Sequence, residues 1–215
     1  MFKVIIIDLD GPILDGMLRH YQCYSDILSE NGYCPVPSQK YWSMKRNRYS
    51  HAEQLAESGA EGISNLFVER WLTLVEERRY LRLDRVQDGI INRLRQWKSR
   101  DIKIILVTMR NNNSNLYWQL EQFGLLALFD HIIVISSKST GIDKADMVEL
   151  HIKDMNRNCI LWIGDTEADI NAARKLGVMV AAVGCGVRSS DFLLSLNPDF
   201  FFADVESIEL NNGGK

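Results

Sequence analysis

The sequence predicts an α/β protein whose core is a doubly wound parallel sheet and whose amino-terminal part carries an all-helical insertion. Three observations predict this fold class. A short apolar run stands alone at residues 2–7. Residues 15–85 then show helical periodicity with polar breaks and no strand pattern. From residue 86 onward, runs rich in valine and isoleucine alternate with amphipathic segments, which is typical of parallel strands joined by helices.

The first element is a buried strand that leads into two acidic residues and a glycine. The apolar run ends in Asp8, Leu9, Asp10 and Gly11. Because side chains alternate along a strand, Asp8 and Asp10 point to the same side, and Gly11 permits a sharp turn beyond them. Two carboxylates this close together require a cation or a shared proton. Taken alone the pattern is weak, since acidic pairs at strand ends also cap helices or solubilise loops.

The inserted segment is predicted to be a compact helical subdomain. Its first helix is expected over residues 16–30, and prolines at positions 35 and 37 force an extended link after it. A later helix carries one apolar stripe opposite a charged face, which is typical of a helix packed on one side. The stripe consists of Leu66, Trp71, Leu72 and Val75.

The rest of the chain alternates between strands and helices. Strands are predicted near residues 102–107, 132–135, 160–163, 178–183 and 200–202. Right-handed crossovers bring the carboxyl ends of parallel strands to one edge of the sheet. Three of the predicted strands end in polar residues: the first in Asp8 and Asp10, the strand near residues 102–107 in Thr108, and the strand near residues 160–163 in Asp165. We therefore expect these four side chains to meet at that edge. We expect residues 1–14 and 86–215 to form the core and residues 15–85 to form the helical insertion.

The composition is that of an ordinary globular protein without a nucleic-acid or membrane partner. The chain has 215 residues, of which 46% are hydrophobic, and a formal net charge of −3, so it offers no general basic surface. The first apolar run is too short for a signal peptide, and no stretch approaches membrane-spanning length. The four cysteines lack metal or disulfide spacing, and we expect reduced thiols and a cytoplasmic location. They are Cys23, Cys34, Cys159 and Cys185.

The motifs at the strand ends resemble those of the haloacid dehalogenase superfamily. In chain order they read Asp8-Leu9-Asp10-Gly11, Val107-Thr108 and Gly164-Asp165-Thr166-Glu167-Ala168-Asp169. The branch they resemble comprises small phosphatases similar to phosphoglycolate phosphatase and β-phosphoglucomutase. The resemblance covers the core from end to end and implies a Rossmann-like core. The helical insertion lies where this branch carries its cap, although its sequence matches no specific motif.

The resemblance implies a Mg²⁺-dependent phosphatase that hydrolyses a small phosphorylated metabolite through an aspartyl-phosphate intermediate. Asp8 would be nucleophile and metal ligand, and Asp165 would anchor the metal. Asp10 would offer its backbone carbonyl to the metal and its side chain as general acid and base. For that role we expect neighbouring negative charge to raise the pKa of Asp10. Asp169 would bind the metal through water or hold a lysine.

The phosphoryl group needs further partners on the protein. Thr108 offers a hydroxyl and a nearby backbone N–H, and Met109 and Gly11 are candidates beside it, although Thr108 alone is equally compatible with a helix N-cap. A lysine should complete the charge balance. Lys144, at a predicted helix start, is favoured over Lys138, which follows the strand near residues 132–135.

The insertion contains one basic cluster, Lys45-Arg46-Asn47-Arg48. Arg46 is the candidate for binding an anionic substrate, because arginine suits phosphate, while a solvated helix face is the simpler interpretation. Arg188, after the strand near residues 178–183, is a further candidate by fold analogy. His20, His51 and the five tryptophans are expected to pack rather than to bind ligands.

Other functions remain open at this level. A phosphomutase of the β-phosphoglucomutase type would use the same nucleophile but keep water away from the phosphoryl group. A dehalogenase would need neither a metal nor Asp10 as acid. A non-catalytic binding or regulatory protein would retain the fold alone. The sequence names no substrate and is compatible with a monomer or a homodimer.

Overall fold

The computed structural model of the chain describes residues 1–210. Within them lie eight strands, which in chain order are β1 (Val4–Asp8), β2 (Leu14–Asp15), β3 (Arg85–Val86), β4 (Lys103–Met109), β5 (His131–Ile135), β6 (Ile160–Gly164), β7 (Met179–Val183) and β8 (Phe200–Phe202). Six of the strands form a parallel sheet in the order β5-β4-β1-β6-β7-β8. The strand that carries the acidic pair therefore lies in the interior of the sheet.

The register of the sheet brings the three motif-bearing strands level at their carboxyl ends. Asp8 pairs with Val107, so Thr108 stands one residue beyond it on the neighbouring strand. On the other side Ile7 pairs with Ile163, which places Asp165 just past the end of β6. The predicted convergence of these residues at one edge follows from this register.

Ten α-helices accompany the strands in residues 1–210. The helices of the insertion are α1 (Met17–Glu30), α2 (Ser38–Arg46), α3 (His51–Ala56), α4 (Ser64–Leu74) and α5 (Arg78–Leu81). Those of the core are α6 (Ile90–Lys98), α7 (Asn113–Gln122), α8 (Gly141–Ile152), α9 (Glu167–Leu176) and α10 (Ser190–Ser195).

Core helices cover both faces of the sheet because successive strand residues point to opposite sides. Ile5 and Ile7 of β1 pack into one apolar cluster with residues of α6 and α7. Val4 and Ile6 pack into a second cluster with residues of α8 and α9. The predicted fold class, a doubly wound parallel sheet in an α/β protein, is confirmed.

The insertion has an apolar core of its own. Tyr24 of α1 and Tyr41 of α2 stack with ring centroids 4.5 Å apart, and Phe67 of α4 meets Tyr24 edge to face. All three side chains are fully buried. Aromatic packing of this kind stabilises a helical unit that has no sheet to pack against.

A short antiparallel ribbon stands where the chain leaves the sheet and returns to it. Leu14 of β2 pairs with Val86 of β3, and Asp15 pairs with Arg85. The division into residues 1–14 with 86–215 and residues 15–85 stays a prediction, and 211–215 lie outside the described residues. None of the described helices is long and apolar enough to cross a membrane.

Candidate active site

The acidic pair lies at the carboxyl end of β1, where Asp8 is the last residue of the strand and Asp10 lies in the segment just beyond it. Asp8 is almost fully buried, and its Oδ1 accepts a hydrogen bond of 2.7 Å from the backbone N–H of Leu9. Gly11 adopts a φ of 102°, which side-chain-bearing residues rarely tolerate. A Cβ atom there would lie 2.3 Å from the carboxyl carbon of Asp165. Glycine is therefore required so that the turn can approach the second acidic strand end.

Lys144 is the lysine beside Asp8. It is fully buried on α8, and its Nζ lies 2.8 Å from Asp8 Oδ2 and 2.7 Å from Asp169 Oδ1. Burial would lower the pKa of Lys144, but Asp169 and Asp8 outweigh that effect and raise it above the ordinary value. Lys138 is exposed in the loop before α8. The sequence favoured Lys144 with Lys138 as the alternative, and the structure brings Lys144 to Asp8 and Asp169.

Asp165 has a carboxylate oxygen without a protein partner. The residue is fully buried, and its Oδ2 accepts a hydrogen bond of 2.5 Å from the backbone N–H of Val187. Its Oδ1 is buried and has no hydrogen-bond partner among residues 1–210. Burial, then Asp169 and Asp8, raise the pKa of Asp165 well above its ordinary value. A buried acid in this position needs a proton or a cation.

Asp169 is held by protein donors on both of its oxygens. Its Oδ1 accepts from Lys144 and, at 3.1 Å, from Trp162 Nε1. Its Oδ2 accepts from the hydroxyl of Thr166 at 2.6 Å. Candidate ligand atoms of Asp8, Asp165 and Asp169 lie within 4.8 Å of one another. Both oxygens of Asp8 also accept hydrogen bonds, from the Leu9 N–H and from Lys144, so the one oxygen of these three carboxylates without a protein donor in the described residues is Asp165 Oδ1.

The side chain of Asp10 is clamped by two arginines. Arg110 donates from Nε to Oδ2 and from Nη2 to Oδ1, both at 2.8 Å, and Arg19 of α1 donates to Oδ1. Arg19 is buried and also pairs with Asp84 at 3.1 Å. Burial alone would raise the pKa of Asp10, but Arg110 and Arg19 hold it well below its ordinary value. The expectation of a raised pKa for Asp10 is wrong. The motif itself contains only acidic neighbours, and the two arginines that lower the pKa come from other segments of the chain.

Thr108 presents a buried hydroxyl that has no partner within the described residues. It lines the same cavity as Asp8, Gly11 and Met109. The N-cap of the helix that follows is Asn112, whose side chain accepts from the N–H of Asn115 at 3.0 Å. The capping alternative for Thr108 is therefore wrong, and its hydroxyl is available to a ligand.

Arg46 does not reach this cavity. Its guanidinium donates to the backbone carbonyls of Gly186 at 3.0 Å and Gly184 at 2.9 Å, and the N–H of Ser189 donates to the Arg46 carbonyl. These bonds fasten α2 of the insertion to the core loop after β7. The expectation that Arg46 contacts the substrate is not supported, because its donors are engaged elsewhere.

A second attachment lies on the other side of the insertion. The buried carboxylate of Glu76 accepts from the backbone N–H groups of Asn111 at 3.0 Å and Asn112 at 2.7 Å. The insertion is thus fixed to the loops after β4 and β7, with the acidic strand ends between them. No sequence motif indicated this contact.

The cavity between core and insertion has a volume of about 400 Å³. Its core side presents Asp8, Asp10, Thr108 and their neighbours, together with Arg188. Its insertion side presents His20, Trp42, Lys45 and Trp71. The expectation that tryptophans only pack holds for Trp97 and Trp162, which are fully buried in the core. Sequence reasoning missed Trp42 and Trp71 as lining residues, since a helical stripe looks the same in either case.

The chain belongs to the haloacid dehalogenase-like hydrolase family, whose pattern matches residues 2–177. The resemblance read from the strand-end motifs is thereby confirmed. The match spans the strands that bear Asp8, Thr108 and Asp165, and the helix that bears Lys144.

Individual relatives are distant. A phosphoglycolate phosphatase of Synechococcus elongatus is 22% identical over 202 residues, which cover 92% of this chain and 91% of that protein. The pyrophosphatase PpaX of Oceanobacillus iheyensis is 22% identical over 121 residues, or 55% of this chain and 56% of that protein. The two names differ in substrate, so they do not define one for this chain.

Solved structures show the same fold. A haloacid dehalogenase-like family hydrolase from Streptococcus pneumoniae superposes with a TM-score of 0.75 at 19% identity, covering 95% of each chain. A predicted phosphoglycolate phosphatase from Haemophilus somnus gives a TM-score of 0.73 at 16% identity, again covering 95% of each chain. At such identities the likeness concerns the fold alone.

Proposed function

We propose that this protein is a Mg²⁺-dependent phosphatase that hydrolyses a small phosphorylated metabolite through an aspartyl-phosphate intermediate. One observation carries the proposal: the Asp8 carboxylate faces the cavity between Lys144 and the unpartnered oxygen of Asp165. The names of the relatives, a phosphoglycolate phosphatase and a pyrophosphatase, agree with phosphoryl chemistry.

The acidic cluster fits a magnesium ion. Three buried carboxylates face one lysine, and the free oxygen of Asp165 is the kind of hard oxygen ligand that Mg²⁺ prefers. Asp8 and Asp165 would hold the ion with the backbone carbonyl of Asp10, while Asp169 holds Lys144 and reaches the ion only through water. When bound, the ion would neutralise negative charge on the phosphoryl oxygens.

Asp8 would act as the nucleophile. One of its oxygens forms a bond to phosphorus while the bond from phosphorus to the ester oxygen breaks, which yields an aspartyl-phosphate and the leaving alcohol. Lys144 and the Thr108 hydroxyl stabilise phosphoryl oxygens, helped by backbone near Met109 and Gly11. Water then attacks the same phosphorus, the bond from phosphorus to the Asp8 oxygen breaks, and inorganic phosphate leaves while the Asp8 carboxylate is regenerated.

Asp10 would manage the protons of both steps. It donates a proton to the leaving oxygen and takes one back from the attacking water. The two arginines keep Asp10 as a carboxylate, which is the form required for accepting the proton of water. Arg19 lines the cavity, so an anionic ester that competes with Asp10 for its guanidinium would weaken this clamp and raise the pKa of Asp10 towards that of a proton donor.

The proposal is tested by measuring phosphate release from a panel of phosphorylated metabolites with Mg²⁺. We expect Asp8→Asn to lower kcat at least about 1000-fold, because the nucleophile is lost. Asp154→Asn, which changes an exposed aspartate after α8, is the matched control and should retain wild-type activity. A chelator should abolish release by the wild type.

Three results would contradict the proposal. Undiminished phosphate release by Asp8→Asn would show that Asp8 is not the nucleophile. Isomerised sugar phosphate without released phosphate would indicate a phosphomutase. No turnover of any ester would favour a binding or regulatory role. The cytoplasmic location and the choice between monomer and homodimer stay predictions.

A further inference from the structure

The three basic residues at the end of α2 have different surroundings. Arg46 donates to the carbonyls of Gly184 and Gly186. Arg48 is exposed, with its Nε 3.6 Å from a Glu167 oxygen and its guanidinium carbon 4.6 Å from the centre of the Phe192 ring. Lys45 lines the cavity, and its ammonium makes no hydrogen bond or ion pair within residues 1–210. Of the three, Lys45 alone lines the cavity that contains Asp8.

The other cations that line the cavity are already neutralised. Arg19 and Arg110 are bound to Asp10. Arg188 donates to both oxygens of Glu167, at 2.7 Å and 3.1 Å. Lys45 is therefore the lining cation whose charge has no acidic partner in the described part of the chain. The ammonium of the partly buried Lys45 has lost part of its hydration without gaining a counterion, and an anionic ligand would compensate that loss.

One ring of a group of neighbouring aromatic side chains lies beside this ammonium. The Lys45 Nζ lies 5.2 Å from the centre of the Trp71 ring, and Trp71 stacks on His20 with centroids 5.3 Å apart. The His20 ring in turn lies 6.2 Å from Trp42. An apolar body fits against this surface while an anionic end meets Lys45. The nucleophile and Lys45 line the same cavity from opposite units, so one ester can contact both.

We propose that Lys45 binds a second anionic group of the substrate, a carboxylate or a phosphate that is carried by the leaving group of the ester. This inference rests on the proposed phosphatase function and narrows its substrates to esters with two acidic groups. Its rival is a purely structural lysine whose only interaction is the contact with Trp71.

The test compares matched esters that differ in the second anion. Phosphoglycolate is paired with ethyl phosphate for the carboxylate, and propane-1,3-diol bisphosphate with propyl phosphate for the phosphate. For each pair, the ratio of kcat/KM for the anionic ester to that for the neutral ester is measured in the wild type, Lys45→Met, Lys45→Arg and Arg48→Met. Taking a ratio within each variant removes general effects on folding or on the chemical step.

We expect the ratio to fall about 10- to 100-fold in Lys45→Met, which is the range for a lost charge-assisted hydrogen bond. The loss should lie mainly in KM. Lys45→Arg should restore most of the ratio, and Arg48→Met should leave it at the wild-type value. A fall in the carboxylate pair or the phosphate pair alone supports the proposal and identifies the anion.

Two results would overturn the inference. An unchanged ratio for both pairs in Lys45→Met would assign Lys45 a structural role. A ratio that falls equally in Arg48→Met would show that the effect comes from the overall positive charge of this part of the insertion and not from a contact with Lys45. If the wild type releases no phosphate from any of the four esters, the proposed phosphatase function itself is contradicted. The proposed role of Lys45 then fails with it, and this outcome differs from an unchanged ratio. Should Lys45→Met fail to fold, Lys45→Gln takes its place.

Discussion

The two sides of the cavity are built on different principles. On the core side, buried acids outnumber the lysine that pairs with them: Asp8, Asp165 and Asp169 surround Lys144. On the insertion side, the Trp71 ring lies beside Lys45, a cation without an acidic partner in the described chain. One side lacks a cation and the other lacks an anion. Under the proposed function, a metal ion would complete the core side and the far end of the substrate would complete the insertion side.

After the loss of the nucleophile in Asp8→Asn, the largest expected effect on turnover concerns Lys144. Lys144→Met should lower kcat at least about 100-fold, because a buried charge that stabilises the phosphoryl oxygens is lost. Lys138→Met is the matched control, and its exposed position predicts a change within about twofold. Steady-state rates of phosphate release with saturating Mg²⁺ decide between them. Loss of activity in Lys138→Met with retention in Lys144→Met would transfer the role to the loop lysine.

The second prediction concerns the uncompensated acids of the core side. Burial first of all, with Lys144 opposing it, raises the pKa of Asp8 from 3.8 to about 7. A raised pKa means that the stability contributed by protonated Asp8 is full below about pH 4 and is lost as the pH rises towards 7. Without metal, Asp8→Asn should therefore gain stability relative to the wild type across this range.

The measurement is the free energy of unfolding of both proteins in urea from pH 4 to pH 8. Taking the difference between them cancels the buried histidines, whose lowered pKa values act in the opposite direction. Added Mg²⁺ should stabilise the wild type more than Asp8→Asn, since the ion binds the folded state. A difference that is independent of both pH and Mg²⁺ would mean that the acids are compensated in some other way.

The smallest effect concerns the insertion side. Burial, followed by repulsion from Arg188 and Arg19, lowers the pKa of Lys45 to about 7. Lys45 is charged below that value, so the preference for doubly anionic esters should be full in acid and decline as the pH rises through 7. His20, His51, Asp10 and Cys23 also face Lys45 and titrate or carry charge.

The ratio of kcat/KM for phosphoglycolate to that for ethyl phosphate, followed from pH 6 to pH 9, measures this decline. We expect a fall of up to about tenfold per pH unit above the midpoint in the wild type. Lys45→Arg keeps its charge throughout and should give a flat ratio. An equal decline in Lys45→Arg would assign the titration to another group.

The sequence predicted the core side far better than the insertion side. Asp8, Thr108 and Asp165 follow apolar strands, and parallel strands bring their carboxyl ends together whatever the loops do. Lys144 lies on a helix between two of those strands, so spacing narrowed the choice to two lysines. Arg19 and Arg110 were missed because an ion pair to Asp10 leaves no periodic signal.

No comparable topological rule predicts which side chains of the helical insertion line the cavity. Of the predicted apolar stripe, Trp71 and Val75 pack against the helical core and also line the cavity. The expectation that Leu66 and Leu72 share this packed face is wrong, because both are exposed, and helical periodicity does not separate these surfaces. Arg46 and Lys45 are adjacent in sequence, yet a helix directs neighbouring side chains about 100° apart. One therefore reaches the core loop and the other the cavity.

The central claim, that Asp8 attacks phosphorus, is tested most directly by acid quenching during turnover and mapping the phosphoryl group by mass spectrometry. The account predicts a phosphoryl group on the peptide that contains Asp8 in the wild type and its absence in Asp8→Asn. Continued turnover without phosphoryl transfer to that peptide, or a phosphoryl group on another residue, would contradict it.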